Sequence, residues 1–243
     1  MAFFHSPNIV TDGLVLCLDA ADQTSYSGST AWKDLSGNGN DSTLEELTMG
    51  TVSASLQTIA FKGDSTQNNV TEYVTLPLAD LKDYTKGSLE LFYKINSTGY
   101  VSPYLMTMSD GSANNIWAVG IDSGNYRYVF QSGGSSVTVL YGNPTPSIAL
   151  GKHFHVVFTS DGSTNNIYHD GNVVSGSVSA GSNNGTWFDD APSPTTMEIG
   201  HYRRTYTSHG IEGEIPICRI YDRALSEKEV LQNFNAQRAR FGV

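Results

Sequence analysis

Alternating hydrophobic and polar residues dominate this chain and predict β-strands rather than helices. In the segment GSLELFYKI, one strand face carries Leu89, Leu91, Tyr93 and Ile95. In KHFHVVFTS, one face carries Phe154, Val156 and Phe158. Further short strand-like runs lie at 13–18, 58–62, 72–76, 104–108, 117–121, 126–131, 137–141, 196–200 and 215–221. About a dozen short strands separated by turns predict an all-β sandwich or barrel.

Turn-forming residues between these strands predict tight hairpins. The segments SDGSANNIW, at 109–117, and SDGSTNNIY, at 160–168, resemble each other, but their flanks PYLMTM and HFHVVFT do not. They therefore predict two similar hairpin turns and not a duplicated domain. In NNIYHDGNVV, Asp170 and Gly171 supply the positive φ that a two-residue hairpin turn requires.

One clear helix is predicted, in the segment LSEKEVLQNFNAQRARF. Ser226 is placed as its N-cap, and Glu229 completes a capping box three residues later. Leu225 and Val230 have the spacing of a hydrophobic staple. The apolar face consists of Val230, Leu231, Phe234 and Phe241. We expect one β domain over residues 13–243, closed by a helix at about 226–239, with residues 1–12 as an N-terminal arm.

Composition and charge narrow the class of partner. The chain has 243 residues and a formal net charge of −10, and 16% of its residues are charged. Because phosphate backbones repel an acidic protein, we expect no nucleic-acid partner. The opening MAFFHSPNIVTDG lacks the basic start and apolar run of a secretory signal, and no apolar stretch approaches membrane-spanning length. We therefore expect a protein that is made in the cytoplasm and does not enter a membrane.

Candidate reactive and metal-binding side chains are few. Cys17 and Cys218 lie in apolar strand-like runs, where buried free thiols are the first interpretation. A disulfide between them is the alternative if the first and last strands pair. His153 and His155 have the spacing of two metal ligands, but no third ligand is evident, and we predict surface or edge-strand residues.

Carboxylate spacing does not predict catalysis. A glycosidase needs two carboxyl groups across a cleft, about 5 to 9 Å apart. Glu212 and Glu214 would share a strand face, whereas the pairs at 45–46 and 189–190 are adjacent and would face opposite ways on a strand. We interpret all three pairs as solvated surface residues and expect no enzymatic activity.

Four segments, taken in order, resemble the LamG-like, concanavalin A-like jelly-roll domains of bacteriophage structural proteins. The opening GLVLCLDAADQTSYSGSTAWKDLSGNGND has the family's short apolar strand, its Leu-Asp-Ala and its Trp-x-Asp-Leu-Ser-Gly-Asn-Gly-Asn run. The segments IAFKGDSTQNNVTEYVTL and GKHFHVVFTSDGSTNNIYHDGNVV are similar to the next segment and to the central hairpin. The end, GIEGEIPICRIYDRALSEKEVLQNFNAQRARFGV, resembles the last strand and helix. The strand LELFYKI departs from the family by lacking its usual Trp.

The resemblance implies a two-sheet antiparallel jelly-roll sandwich with a short C-terminal helix, whose first strand lies beside its last. It does not imply one activity, because this fold hosts glycan binders, glycosidases and interaction modules. The phage-type ends imply a non-catalytic virion protein, either a capsid decoration or a tail or fibre appendage. Its partners would be other virion proteins, including copies of itself. The alternative is a carbohydrate-binding adhesin domain that recognises a host surface glycan.

The stretch DLSGNGND, at 34–41, has the residue types of a calcium loop. Counting from Asp34 places Ser36, Asn38, Gly39 and Glu45 at positions of an EF-hand loop. Because helical periodicity is missing on both sides, we reject the EF-hand and predict a tight turn. A Ca²⁺ ion at the sheet rim is the alternative, since some relatives hold one there. Its oxygen ligands would come from Asp19, Asp34, Asn38 and Asn40.

Aromatic residues in predicted loops are the candidate ligand or interface residues. The segments GTWFDDAP and GHYRRTYTSHG offer Trp187, Phe188, Tyr202, Arg203, Arg204 and Tyr206. Aromatic side chains in loops suit either a stacked sugar ring or the centre of a protein interface, where Arg is also frequent. The arm MAFFHSPN carries Phe3 and Phe4, which have little company to pack against. We expect contact with a neighbouring subunit to order this arm.

Overall fold

Two antiparallel sheets face each other in the computed structural model, which describes residues 7–53, 56–62, 72–97, 103–145, 147–203 and 208–243. The strands are β1 (Leu14–Asp19), β2 (Ala31–Trp32), β3 (Ser42–Glu45), β4 (Thr48–Ser53), β5 (Leu56–Lys62), β6 (Tyr73–Thr75), β7 (Gly87–Ser97), β8 (Tyr104–Ser109), β9 (Ile116–Asp122), β10 (Asn125–Ser132), β11 (Ser135–Gly142), β12 (His153–Ser160), β13 (Asn165–His169), β14 (Asn172–Val173), β15 (Gly176–Gly181), β16 (Thr196–Ile199), β17 (His201–Arg203), β18 (Ser208–Gly210) and β19 (Glu212–Tyr221). The helices are α1 (Leu78–Leu81) and α2 (Glu227–Phe241).

The strand order confirms the predicted two-sheet antiparallel sandwich. Sheet A has the order β14-β13-β12-β7-β19-β5-β4, and β1 also pairs with β19. Sheet B has the order β15-β11-β10-β9-β8-β16-β6-β3-β2, and β17 pairs with β18 in a separate hairpin. The antiparallel pairing of β1 with β19 confirms that the first strand lies beside the last.

The core between the sheets contains the apolar residues that alternation predicted on β7 and β12. These are Leu89, Leu91, Phe154, Val156 and Phe158, each at most 4% exposed. Sheet B contributes alternate residues of β9 and β10, among them Trp117, Tyr126 and Tyr128. Because successive side chains of a strand point to opposite faces, the residues between them lie on the outer faces of the sheets.

Helix α2 covers the outer face of sheet A. Ser226 precedes its first turn, and the Glu229 carboxylate accepts both the backbone N–H and the hydroxyl of Ser226, at 2.8 Å each. Gly242 ends the helix in the left-handed conformation, with φ of 69°. Of the predicted apolar face, Leu231 is 43% exposed instead of buried. Neither described helix is long and apolar enough to cross a membrane.

The two histidines of β12 are buried under α2, so the prediction of surface or edge positions is wrong. His155 is fully buried and its ring lies 5.6 Å from that of Phe234. His153 is 7% exposed and its ring lies 5.2 Å from that of Phe241. Both side chains lie on the outer face of sheet A, which α2 covers. They were predicted to be exposed because no local sequence pattern indicates where α2 packs.

A buried polar network centred on Glu90 joins the outer face of sheet A to α2. The Glu90 carboxylate accepts hydrogen bonds from Arg219 on β19, at 2.9 Å, and from Asn233 on α2, at 2.7 Å. His155 Nε2 lies 3.1 Å from Glu90 Oε1, and the Tyr221 hydroxyl lies 3.4 Å from Oε2. Burial by itself raises the pKa of Glu90, but Arg219, His155 and Asn233 outweigh it and lower the pKa to about 2. Glu90 is therefore a buried anion at neutral pH.

Residues 7–12 of the N-terminal arm lie against the chain's own α2. The Val10 N–H donates to Asn233 Oδ1 at 2.8 Å, and Gln232 Nε2 donates to the Asn8 carbonyl at 2.7 Å. Val10 is also packed against Val230. This part of the arm therefore needs no neighbouring subunit to order it. Phe3 and Phe4 lie outside the described residues.

The two cysteines are free and buried. They lie on paired strands, but Cys17 is opposite Arg219 and Cys218 is opposite Leu18. Cys218 faces the same side of the sheet as Leu18, whereas Cys17, the residue before Leu18, faces the other side. The two thiols therefore point to opposite faces, and this geometry excludes a disulfide between them.

Three predicted hairpin turns are confirmed. The two SDGS segments connect β8 to β9 and β12 to β13, each as an antiparallel hairpin. Asp170 and Gly171 have φ of 46° and 80°, as the tight turn before β14 requires.

The stretch DLSGNGND closes the edge of β1 that does not pair with β19. Asp34 Oδ1 accepts the backbone N–H of Cys17 and of Ser36, both at 2.8 Å, and Oδ2 accepts the Asn40 N–H at 3.1 Å. The side-chain amides of Asn38 and Asn40 donate to the Leu14 and Val15 carbonyls, at 3.1 and 2.7 Å. These bonds satisfy backbone groups that an edge strand leaves unpaired.

Asp19 is directed away from this turn. Its carboxylate forms a two-pronged ion pair with Arg240 of α2, at 2.7 and 2.8 Å. Among the described residues, no three His, Cys, Asp or Glu side chains lie close enough together to hold a metal ion. Calcium binding by Asp19, Asp34, Asn38 and Asn40 stays a prediction, in which the metal would compete with the hydrogen bonds that Asp34 already accepts.

We expect Glu90→Gln to lower the free energy of unfolding by about 3–5 kcal/mol, because the change leaves Arg219 buried beside a neutral partner. Urea unfolding measures this loss. The matched control is Glu212→Gln at the exposed first residue of β19, for which a change within about 0.5 kcal/mol is expected.

The same variants should differ in acid. Since the pKa of Glu90 is lowered to about 2 in the folded state, its stabilising contribution is complete above the ordinary carboxyl pKa and is lost as pH falls towards 2. The wild type should lose this contribution on acidification, and Glu90→Gln should lack that part of the pH dependence. Equal acid sensitivity of the two proteins would contradict the buried-anion assignment.

We expect a chelator to leave the melting temperature of the wild type nearly unchanged, because the 34–41 stretch is held by protein hydrogen bonds. Asp34→Ala should lower the free energy of unfolding by about 1–3 kcal/mol with or without Ca²⁺, because it leaves backbone N–H groups unpaired. Thermal unfolding with chelator and with added Ca²⁺ measures both effects. A large drop with chelator that Ca²⁺ reverses would instead establish the metal site.

Candidate functional site

A polar cleft of about 420 Å³ opens at one end of the sandwich. Three segments form it: the turn between β12 and β13, the loop that precedes β16, and the two residues before β7. Its lining residues are Thr85, Lys86, Asp161, Gly162, Asn184, Gly185, Thr186, Asp189 and Asp190. Gly185 and Thr186 are buried at its base, and the other lining residues are exposed.

Close backbone contact between two loops fixes the base of this cleft. Gly185 has φ of 73°, and a Cβ atom at this position would lie 2.3 Å from the Ser163 nitrogen. Only glycine permits both the conformation and the approach. The Ser160 hydroxyl donates to the Gly185 carbonyl, and Asn165 and Asn183 exchange two hydrogen bonds of 2.7 and 3.0 Å. The cleft is therefore held open by backbone and amide contacts.

The predicted ligand residues Trp187 and Phe188 lie beneath the cleft in the core, which corrects the expectation that they are presented to a ligand. Both are fully buried. Their rings stack at 4.7 Å, and Phe188 meets the edge of Trp117 at 4.8 Å. Trp187 is seated on Gly87, where a Cβ atom would lie 2.6 Å from the indole nitrogen. The loop turns inward because these rings close the end of the hydrophobic core.

Carboxylates from two loops lie at the rim. Asp161 accepts the backbone N–H groups of Ser163 and Thr164, at 2.7 Å each. These bonds, that of Thr164 above all, lower the pKa of Asp161 to about 2. Partial burial raises the pKa of Asp189, and the neighbouring charge of Asp190 raises it further. Asp190 Oδ2 accepts the Trp187 N–H at 2.9 Å.

Hydrogen-bond donors face the same cleft. Lys86 is exposed and forms no ion pair with the described residues. Asn184 accepts the Thr138 hydroxyl with its Oδ1, at 2.8 Å, which orients its amide and leaves the NH₂ group for another acceptor. Donors and acceptors thus alternate around an opening large enough for a small polar ligand.

The remaining predicted residues lie elsewhere. Tyr202 is 4% exposed on the outer face of sheet B, where its hydroxyl donates to the Ser112 carbonyl at 3.0 Å. Arg203 is the last residue of β17, for which the structure describes the backbone only. Arg204 and Tyr206 lie outside the described residues. The structure therefore does not join Tyr202 with Trp187 and Phe188 in one aromatic site.

The grouping of Lys86, Asp161, Asn184 and Asp189 does not follow from local sequence patterns. Lys86 and Asp161 lie in different turns, and Asn184 and Asp189 share the loop that precedes β16. Of these residues, only Asp189 was interpreted from the sequence, as a solvated carboxylate. The SDGSTNN turn was the available signal, since it contains Asp161 and is followed along the chain by the Asn184–Gly185 turn.

Comparison with known proteins agrees with the fold. A search of curated proteins found no match to this chain. Among solved structures, it resembles a Trypanosoma rangeli sialidase mutant with trans-sialidase activity, at 18% identity and a TM-score of 0.67, covering 95% of this chain and 34% of that one. It also resembles the binding domain of Paraclostridial Mosquitocidal Protein 1, at 16% identity and a TM-score of 0.62, covering 93% and 52% of the two chains.

A third similar structure is the binding domain of botulinum neurotoxin serotype D/C, at 14% identity and a TM-score of 0.64, again covering 93% and 52%. The chain thus spans about a third of the sialidase and about half of each toxin binding-domain chain. At these identities the likeness shows the fold alone. The Laminin_G_3 family model, described as the concanavalin A-like lectin/glucanases superfamily, matches residues 67–231. Because this match covers more than half of the chain, the protein belongs to that family.

Proposed function

We propose that this chain is a non-catalytic binding domain whose end cleft binds a neutral carbohydrate. The observation that carries the proposal is the convergence of Lys86, Asn184, Asp189 and Asp190 over a base fixed by backbone contacts. Sugar hydroxyls donate and accept hydrogen bonds, so they suit a rim that offers both kinds of partner. A lectin/glucanase-type fold, and similar structures described as binding domains, support a binding role.

The state of the carboxylates supports binding rather than hydrolysis. Glycoside hydrolysis requires one carboxyl that is kept protonated by an apolar site and a second that is free to act as base or nucleophile. Partial burial and Asp190 raise the pKa of Asp189, but both side chains are exposed at a polar rim and neither lies in an apolar site. Asp161 is already committed to the Ser163 and Thr164 N–H groups of its own turn. Glu214 is 9% exposed, so its interpretation as a solvated surface residue is wrong; it is held by Lys94 on sheet A, away from the cleft.

We expect the purified chain to bind members of a panel of immobilised neutral oligosaccharides without releasing reducing ends from them. For the tightest binder, Asp189→Ala should weaken binding at least about tenfold by titration calorimetry, since it removes one charged acceptor worth about 1.5–3 kcal/mol. The Asp189 carboxylate is bonded to the backbone N–H groups of Asp189 and Asp190 in its own turn and to no other described donor, so its removal should not disturb the cleft base.

Glu212→Ala is the matched control, because it removes an exposed carboxylate outside the cleft. If both variants bind as the wild type does, the cleft is not the glycan site. If the bound oligosaccharide is hydrolysed and Asp189→Ala abolishes this, the domain is an enzyme.

We propose further that the domain is part of a virion, as a capsid decoration or a tail or fibre appendage that contacts other virion proteins. The phage-type resemblance of residues 13–41 and 210–243 supports this context. The aromatic loop residues support a protein interface less than the sequence suggested, because Trp187, Phe188 and Tyr202 are buried. A binding cleft at one end and an attached arm would suit a surface-exposed particle component.

Deleting residues 1–8 should leave the domain folded, because among the described contacts it removes only the Gln232 hydrogen bond to Asn8. Under the virion proposal, the truncated chain should attach more weakly to the particle. Thermal unfolding tests the first expectation, and occupancy in imaged particles tests the second. Full occupancy of the truncated chain would show that the arm is not the anchor.

A further inference from the structure

A row of side chains on the outer face of sheet B contains Arg127, which forms no ion pair with the described residues. Tyr104 and Arg127 are both directly opposite Gly120, and Arg127 is directly opposite Tyr141. Directly opposed residues share a face of a sheet, so Tyr104, Arg127 and Tyr141 project on the same side. The residues flanking Arg127 on β10, Tyr126 and Tyr128, point into the core.

Gly120 allows these side chains to meet. It adds no side chain between Tyr104 and Arg127, and Arg127 Nη1 lies 3.5 Å from the Tyr104 hydroxyl. On the other side, the guanidinium carbon lies 6.0 Å from the centre of the Tyr141 ring, within cation–π range. Arg127, Tyr104 and Tyr141 are all partly exposed. A guanidinium group is thus presented between two tyrosine rings.

Other contacts hold both rings in place. The Tyr141 hydroxyl donates to Asp122 Oδ2 at 2.8 Å, and the Tyr104 ring meets the edge of Tyr202 at 5.3 Å. Beside the row, a second row of Ala118, Val129 and Val139 is buried and packs against the rings of Tyr202, Tyr104 and Tyr141. Rings that are held in place favour a rigid ligand over a flexible one, because less conformational freedom is lost on binding.

Arg127 lacks the carboxylate partner that three other arginines have. Arg219, Arg223 and Arg240 each form an ion pair with a carboxylate. Arg127 forms none with the described residues, and its Nε is buried without a hydrogen-bond partner among them. Asp122 shares this face, but it accepts the Tyr141 hydroxyl and makes no ion pair with Arg127. In a chain of net charge −10, a half-buried cation without an anion is an exception that calls for a function.

We propose that this face binds an acidic saccharide, with Arg127 pairing its carboxylate and Tyr104 and Tyr141 packing on its pyranose rings. The planar guanidinium matches a carboxylate, and an aromatic face matches the C–H face of a sugar. The site is distinct from the end cleft, and its ligand carries a charge that the acidic rim of that cleft would repel.

The net charge of the chain does not oppose this assignment under ordinary conditions. Exposed charges farther than about 8 Å away are largely screened at 0.15 M ionic strength. Recognition then depends on the local pair, and Arg127 is the cation of that pair. Binding should weaken as salt rises, because the pair is partly exposed.

Titration calorimetry with a short oligogalacturonate, which carries a carboxylate on each ring, tests the assignment. We expect the intact chain to bind it, Arg127→Gln to bind at least about tenfold more weakly, and Arg127→Lys to fall between them, since Lys keeps the charge but not the fork. Arg238→Gln is the matched control: Arg238 is exposed, and its guanidinium carbon lies 5.6 Å from the centre of the Phe234 ring. It makes the same charge change on α2 and should bind as the wild type does.

Further arms separate the alternatives. Fully methyl-esterified oligogalacturonate should bind at least about tenfold more weakly than the acid, and Asp189→Ala should bind the acid as the wild type does. The proposal is overturned if the acid does not bind, if Arg127→Gln and Arg238→Gln bind it equally, or if the ester binds as tightly. Equal affinity for a polyglutamate peptide would overturn it in favour of an acidic-peptide surface. Melting temperatures of all variants verify folding, and loss with Asp189→Ala alone would assign the ligand to the end cleft.

Discussion

The buried ion pair between Glu90 and Arg219 is the interaction on which the outer layer of the molecule depends. It lies where β7 and β19 meet, and its hydrogen-bond partners come from β12 and α2. Removing either partner would leave an uncompensated charge in a dry site. Through Asn233, the same network fixes the backbone of Val10. One carboxylate thus connects the sheet, the helix and the start of the domain.

The two candidate binding surfaces are separate from this network and have different physical bases. The end cleft depends on loops, and the loops depend on Trp187 and Phe188 as core residues and on Gly185 as a point of backbone contact. The face around Arg127 depends on strand register and on the packing of Tyr202 from the β17–β18 hairpin against Tyr104. Substitutions in loops should therefore alter the cleft more readily than the face.

Local patterns predicted the elements of the fold well. Alternation identified the inward residues of β7 and β12, and Ser226 with Glu229 located the start of α2. The Asp170–Gly171 turn followed from its required backbone conformation. These features depend on neighbours in the sequence, so a single sequence contains the information for them.

Features set by packing between distant segments were not predictable in the same way. His153 and His155 were taken as surface residues because nothing near them in the sequence shows that α2 covers them. Trp187 and Phe188 were taken as exposed because a loop pattern does not show whether the loop turns inward. The cleft joins Lys86 to Asn184, nearly a hundred positions later. The sequence alone does not show that these two distant segments lie next to each other in the folded chain.

The burial of sheet A on both faces has a consequence for how this domain can vary. Along its central strands, one face meets the core and the other meets α2, so a substitution on either face changes a packed environment. Sheet B is packed in this way on its inner face, and its outer face still presents partly exposed side chains in fixed register. Random mutation followed by selection should therefore change sheet B's outer surface and the end loops first. Sheet A should change little, while the binding specificity of the outer surface of sheet B and of the end loops changes.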